Sequence, residues 1–97
     1  MNTDQPRTIK KEMGMTHKDF YAELPNLLGG IPCHLHEDTI SFELRGKRVE
    51  INLGLEEVRK IGPSVTLPVT IVTLRFFAFS EEETSDFIRH FNLKFMK

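Results

Sequence analysis

The side chains best suited to chemistry in this sequence lie in one short segment, from Cys33 to Glu37. On a β-strand alternate side chains share a face, so His34 and His36 would lie about 6–7 Å apart on one side. A two-residue turn at Glu37-Asp38 would place Glu43 of the next strand on that same side. Two imidazoles and a carboxylate are ligands that Zn²⁺ and Cu²⁺ accept, so His34, His36 and Glu43 form a candidate metal site. The alternative is that both histidines are solvated on an edge strand.

Two kinds of catalysis can be considered for this segment. A histidine with Glu43 or Glu50 would be an acid–base pair on the polar face. An open sheet face does not exclude water, and no pocket is evident from the sequence, which argues against an enzyme. Cysteine catalysis needs a thiolate beside a histidine, but Cys33 would face the opposite side of the strand from His34. Cys33 is therefore expected to be a small core residue.

Three consecutive segments alternate apolar with polar residues, which predicts three strands that are each covered on one face. A two-residue turn at Glu37-Asp38 joins the first two strands and keeps their apolar positions opposite one another. Pro32 cannot donate a ladder hydrogen bond, which favours an edge position for the first strand. The apolar positions are Ile31, Cys33 and Leu35, then Ile40, Phe42 and Leu44, then Val49, Ile51 and Leu53.

The turn between the second and third of these strands has two acceptable registers. With Arg45-Gly46 as the turn, Glu43 lies opposite Arg48, and this register is favoured because opposite charges attract across strands. With Gly46-Lys47 as the turn, glycine takes the position that a type II′ turn requires, but Glu43 then lies opposite Glu50.

Two helices are predicted at the ends of the domain. The capping signature at residues 16–19 begins the first, and Gly29-Gly30 ends it. Pro25 lies inside its apolar stripe, so this helix either kinks there or consists of two short turns. Ser80 and Glu83 form a capping box for the second helix, which is acidic at its start and basic at its end, as the helix dipole favours.

Residues 54–62 fit a short connecting helix. Leu55, Val58 and Ile61 are three residues apart, and the acidic residues of the segment precede the basic ones. Gly62-Pro63 would end such a helix.

The longest predicted strand spans Val69 to Phe79 and is largely apolar on both faces, which is typical of a central strand. Helices would cover one face. The other face needs its own cover, because a folded monomer seldom leaves so large an apolar patch exposed. Either a second copy covers it, as in a homodimer, or the two helices enclose the sheet from both sides. The candidate interface residues on that face are Val69, Ile71, Phe77 and Phe79.

Composition limits the classes of function. The 97 residues carry a net charge of −1, which gives no field to attract nucleic acid, and no apolar run is long enough to span a membrane. Residues 1–14 are polar and aperiodic, which predicts a disordered leader, unless Met13 or Met15 is the true start. Residues 15–97 are predicted to form a single domain. The lone cysteine excludes an internal disulfide and favours a reducing cytoplasm.

Together these elements predict an α+β domain in the order α-β-β-β-(short α)-β-α, an antiparallel sheet of about four strands with an N-terminal and a C-terminal helix packed on it. The expected function is that of a small cytoplasmic interaction module that self-associates and has no catalytic activity. The alternative is a metal-binding or histidine-dependent enzyme that uses His34 and His36. Nucleic-acid binding through the basic leader ranks last on charge grounds.

Overall fold

The structure, a computed structural model, describes residues 6–95. It confirms the α+β class: five antiparallel strands, where about four were predicted, form one sheet with two helices. Strands and helices are β1 (Arg7–Met13), α1 (His17–Leu28), β2 (Cys33–His36), β3 (Thr39–Leu44), β4 (Lys47–Lys60), β5 (Thr66–Phe76) and α2 (Glu81–Phe95).

The strands lie in the order β1-β5-β4-β3-β2. The last four strands in sequence therefore form a meander, and α1 crosses the sheet to connect the two edge strands, β1 and β2. Both helices pack on one face, where Ile40, Ile51 and Leu74 are aligned across three strands and are fully buried. The opposite face, called the outer face below, carries no helix in the described part of the chain.

Phenylalanines fill the space between the helices and the sheet. The rings of Phe20 and Phe95 stack at 4.7 Å, which joins α1 to α2, and Phe91 lies 4.6 Å from Phe95. On the sheet side the ring centroids of Phe76 and Phe87 are 5.5 Å apart. Burial of these large apolar rings is the main source of stability for a chain of this size.

The predicted strand registers are confirmed. Glu43 pairs with Arg48, so Arg45-Gly46 is the turn, and Leu35 pairs with Ile40 across the first hairpin. Arg45 and Gly46 have φ angles of 54° and 79°, the two left-handed residues of a type I′ turn. This turn twists in the same sense as the strands, which explains why it is used although only one of its residues is glycine.

Both predicted helix caps are present. The Thr16 hydroxyl accepts a hydrogen bond from the Asp19 N–H, the Asp19 carboxylate accepts one from the Thr16 N–H, and Gly29 ends α1 in the left-handed conformation. Ser80 and Glu83 form the equivalent box at the start of α2. Pro25 does not divide α1, which is continuous from His17 to Leu28.

The prediction of a disordered leader is wrong for residues 7–13, which form β1. This strand pairs with β5 from Arg7 opposite Phe76 to Met13 opposite Thr70. This strand lies at the edge of the sheet and its outer face is exposed, so it contains few apolar residues. Its alternation of apolar and polar residues is therefore weak. Residues 1–5 of the predicted leader lie outside the described residues.

The prediction of a short helix at residues 54–62 is also wrong. Residues 54–60 continue β4, which pairs with β5 as far as Lys60 opposite Thr66, and residues 61–62 lie in the connection to β5. Correspondingly, β5 begins three residues before the predicted Val69 and ends at Phe76, before the predicted Phe79. A β-bulge between Leu53 and Glu56 shifts the alternation of β4 by one residue, which hid the strand pattern.

Candidate interaction surface

The candidate metal ligands lie near one edge of the sheet, where His34 and Glu43 line one cavity that His36 does not line. β2 is the edge strand, and all four of its residues are exposed, including Cys33, which was expected in the core. His34 pairs with Ser41, His36 pairs with Thr39, and Glu43 lies opposite Arg48 beyond both histidines. Among residues 6–95 no group of three His, Cys, Asp or Glu side chains could hold a metal ion.

The candidate interface residues do not form one exposed patch. Val69 and Phe79 are buried, and the Phe79 ring lies 5.2 Å from Phe76 within the core. Ala78 has a φ of 64°, and this left-handed residue ends the extended run and brings Phe79 back to the core. Phe77 is half-buried beneath the Arg48 guanidinium, 5.4 Å from the ring centroid. Only Ile71 of the four remains exposed.

Within residues 6–95, most of the large apolar side chains that are exposed lie elsewhere, on an extension of the hairpin that β4 and β5 form. Residues 54–69, called the arm below, continue β4 and β5 past the ends of their neighbouring strands, and the molecule measures 51 × 31 × 25 Å. Val58, midway along the β4 half of the arm, is 71% exposed. Five large apolar side chains of the arm are exposed: Leu55, Val58, Ile61, Val65 and Leu67.

Both edges of the arm are free of neighbouring strands in the described part of the chain. β3 pairs with β4 only up to Asn52, and β1 pairs with β5 only from Thr70 onwards. The backbone N–H and C=O groups along such an edge are available for pairing with another chain. Pro68 removes one donor from the β5 half, whereas residues 54–60 of β4 contain no proline. The open edge of β4 is therefore the better template.

The base of the arm is fixed by α1. Gly54 and Leu55 both lie opposite Ile71 in the bulge. His17, the first residue of α1, donates from Nε2 to the Gly54 carbonyl oxygen at 2.6 Å, and its backbone N–H donates to Glu56 Oε1 at 2.8 Å. No role for His17 follows from the sequence, because its partners Gly54 and Glu56 lie in the part of β4 that was predicted to be a helix.

A further ion pair ties the arm to β1. Glu12 of β1 accepts two hydrogen bonds from Arg59 of β4. The side-chain hydrogen bond from Arg59 is the largest cause that lowers the pKa of Glu12, and the same bond raises the pKa of Arg59. Because these two strands lie on either side of β5, this pair braces the arm across its width.

Charges along the open edge are ordered. The segment 55–61 reads Leu-Glu-Glu-Val-Arg-Lys-Ile, with acidic residues before Val58 and basic residues after it. Lys60 has no hydrogen-bond or ion-pair partner within residues 6–95, and neither has Glu57 apart from its charge interaction with Arg59. Glu57 and Lys60 are therefore charges that the described part of the fold does not pair, whereas Arg59 is held by Glu12 and Glu56 accepts a hydrogen bond from the His17 N–H.

Comparison with known proteins adds no assignment: the chain matches no protein-family model, no curated protein and no solved structure. Neither α1 nor α2 has the length and apolar character that a membrane-spanning helix requires.

Proposed function

We propose that this protein is an interaction module that self-associates, and that two copies form a symmetric dimer by pairing the open edge of β4 in each arm. The observation that carries the proposal is the order of residues in segment 55–61. Apolar residues occupy its centre and both ends, two acidic residues precede the centre, and two basic residues follow it. Such an order is self-complementary when the segment is reversed.

A two-fold axis through Val58 would pair the two edges in an antiparallel ladder. In that register Glu57 lies opposite Arg59 of the second copy, and Glu56 lies opposite Lys60 of the second copy. By symmetry there are four opposite-charge pairs, each of which contributes about 0.2–1 kcal/mol. Leu55 lies opposite Ile61 of the second copy, so apolar groups also meet. A parallel alignment would instead oppose like charges, which is destabilising.

The stability of the arm also favours a second copy as its partner. An isolated two-stranded hairpin is at best marginally stable in water, and three or more strands are needed for independent stability. Pairing two arms would give four adjacent strands and would cover Val58 on the edge of each. An isologous contact of this kind closes on itself and does not extend into a fibre.

The first experiment is to measure the molar mass of the purified full chain by size-exclusion chromatography with light scattering over a range of concentrations. We expect a dimer that dissociates on dilution. Val58→Asp places two like charges at the two-fold axis and should weaken association by at least about tenfold. Leu93→Asp is the matched control, since Leu93 is an exposed apolar residue on α2, far from the arm in sequence. A wild-type chain that is monomeric throughout would refute the proposal.

A charge-exchange experiment tests the register. Glu56→Lys alone and Lys60→Glu alone should each be monomeric, because each opposes like charges across the axis. An equimolar mixture of the two variants should form a heterodimer, and the double variant in one chain should restore the homodimer. The double variant lacks the Glu56 carboxylate that accepts a hydrogen bond from the His17 N–H. A double variant that dimerises therefore shows that association depends on charge pairing between the copies and does not require this hydrogen bond. Failure of both combinations to associate would exclude this register.

Phe77 distinguishes pairing of arm edges from packing of sheet faces, which the sequence suggested. Phe77→Glu should leave the dimer intact, because Phe77 follows the end of β5 that is remote from the arm. If Phe77→Glu gives a monomer and Val58→Asp does not, then the outer face is the interface and the arm is not.

A further inference from the structure

A cavity of about 430 Å³ lies on the helix side of the sheet, away from the arm. It is bounded by the last turn of α1, by α2 and by the tip of the β3–β4 hairpin. Its volume falls within the range of small-molecule sites, which are mostly apolar with a few polar groups that fix orientation. Much of its lining is apolar: Leu27, Ile31, Phe42, Leu44, Phe79 and Phe87.

The cations on the rim of this cavity are not neutralised. Arg45 at the hairpin tip and Lys94 in the last turn of α2 both line the cavity, and neither has a hydrogen-bond or ion-pair partner within residues 6–95. The tip of the hairpin is held by its type I′ turn, so Arg45 projects from a defined backbone position.

In contrast, both acidic side chains of the rim form ion pairs, and its histidine is hydrogen-bonded. Glu83 Oε1 lies 2.7 Å from Lys47 Nζ, and Asp86 Oδ1 lies 3.6 Å from Arg89 Nη1. His90 Nε2 lies 3.1 Å from the Leu27 carbonyl oxygen, to which it donates because a carbonyl can only accept. The free charge at the mouth is therefore positive.

We propose that this cavity binds a small amphipathic anion, with an apolar chain against Phe42, Phe79 and Phe87 and a carboxylate attracted to the positive rim that Arg45 and Lys94 provide. The apolar lining accounts for the chain, since burial of apolar surface is favourable without directional contacts. The two unpaired cations account for the sign of the head group, since charge-assisted hydrogen bonds to a carboxylate are stronger than neutral ones. This binding is independent of the association proposed for the arm.

The test uses decanoate as the probe, below its micellar concentration, with the full chain observed by ¹H–¹⁵N NMR. Decanol and decyltrimethylammonium carry the same chain with a neutral and a positive head group. We expect saturable shifts at the cavity residues with decanoate, affinity about tenfold lower with decanol, and the weakest affinity with the cation. Equal affinity for all three probes would overturn the proposal, as would shifts confined to the arm.

Two sets of variants locate the site. Arg45→Gln with Lys94→Gln should reduce decanoate affinity to that of decanol, whereas Lys10→Gln with Lys18→Gln, at two exposed lysines outside the cavity, should not. Leu44→Trp should occlude the cavity and abolish binding of every probe, and the dispersion of its spectrum reports whether it folds. If it does not fold, the glutamine pair decides. Val58→Asp should bind decanoate normally, so loss of the dimer and loss of this site are distinguishable.

Discussion

Arg59 and Glu12 form a bidentate ion pair across the width of β5. Nη1 lies 2.8 Å from Oε1 and Nη2 lies 2.6 Å from Oε2. Glu12 pairs in register with Ile71 and Arg59 pairs with Leu67, so the ion pair crosses β5 at the level of Val69. This position explains why Val69 is only 7% exposed on a face that carries no helix. The ion pair between Arg59 and Glu12 thus connects the edge strand β1 to the arm.

Glu12→Gln should loosen the arm without affecting the rest of the sheet. The variant removes the carboxylate that holds Arg59 but leaves the residues proposed to pair in the dimer unchanged. Amide hydrogen exchange along residues 54–69 should become faster, while exchange in β3 should not change. Glu81→Gln, at an exposed glutamate of α2, is the control. Unchanged exchange in the arm would show that the ion pair contributes nothing to its order, as is true of many surface pairs.

The carboxylate of Glu83 should make stability depend on pH. It accepts hydrogen bonds from Lys47 Nζ and from the Ser80 N–H, and these lower the pKa of Glu83 from 4.5 to about 2, with the Lys47 bond as the largest cause. Because the pKa in the folded state lies below the value in the unfolded state, the stabilisation is complete above pH 4.5 and is lost as pH falls towards 2.

Urea unfolding of the wild type and Glu83→Gln between about pH 7 and about pH 3 measures this effect. The variant should be less stable at neutral pH, and the difference in free energy of unfolding should shrink as the pH falls. Glu82→Gln, in the same first turn but without a hydrogen bond to Lys47, should show a smaller difference at neutral pH. A Glu83 difference that is constant with pH would contradict the pKa shift.

Phe91 should be the most sensitive position of the aromatic core. It is fully buried and its ring contacts Phe20, Phe87 and Phe95. Phe91→Ala should lower the free energy of unfolding by about 3–5 kcal/mol, and Phe91→Leu should lower it by less because it leaves a smaller cavity. If the alanine variant does not fold, the leucine variant supplies the measurement. Leu93→Ala, on the exposed side of α2, should change stability by less than about 0.5 kcal/mol.

The parts of the fold that the sequence predicts are those governed by local rules. Capping residues satisfy backbone groups a few positions away, so both helix starts could be placed from Thr16 and Ser80. Apolar residues must lie opposite apolar residues across a hairpin, which excludes registers shifted by one residue. The pairing of Glu43 with Arg48 then decided between the two turns that remained, Arg45-Gly46 and Gly46-Lys47. The prediction that the last strand is central is also confirmed, since β5 lies between β1 and β4.

The surface could not be predicted because it depends on contacts distant in sequence. β1 is a strand only because β5 offers it an edge, about sixty residues later in the chain. In the arm Leu55, Val58 and Ile61 are all exposed, so no alternation of buried and exposed side chains marks residues 55–60 as a strand. The bulge at Gly54 also interrupts the alternation of the residues that precede it. Phe79 was assigned to the outer face because the left-handed Ala78 was not foreseen.

Gly54→Ala tests whether the bulge sets the geometry of the arm. A Cβ at Gly54 would lie 3.1 Å from the Ile71 carbonyl oxygen, a backbone atom that cannot move without disturbing the ladder. We expect a loss of about 1–3 kcal/mol in the free energy of unfolding, together with faster amide exchange in residues 54–69. Gly14→Ala is the matched control, because a Cβ at Gly14 would have its nearest contact at 3.9 Å. Neither glycine has a positive φ, so backbone strain does not distinguish the two variants. Gly14→Ala should change the free energy of unfolding by no more than about 1 kcal/mol. If Gly54→Ala is as well tolerated as Gly14→Ala, then close approach of the two backbones is not what requires glycine at the base of the arm.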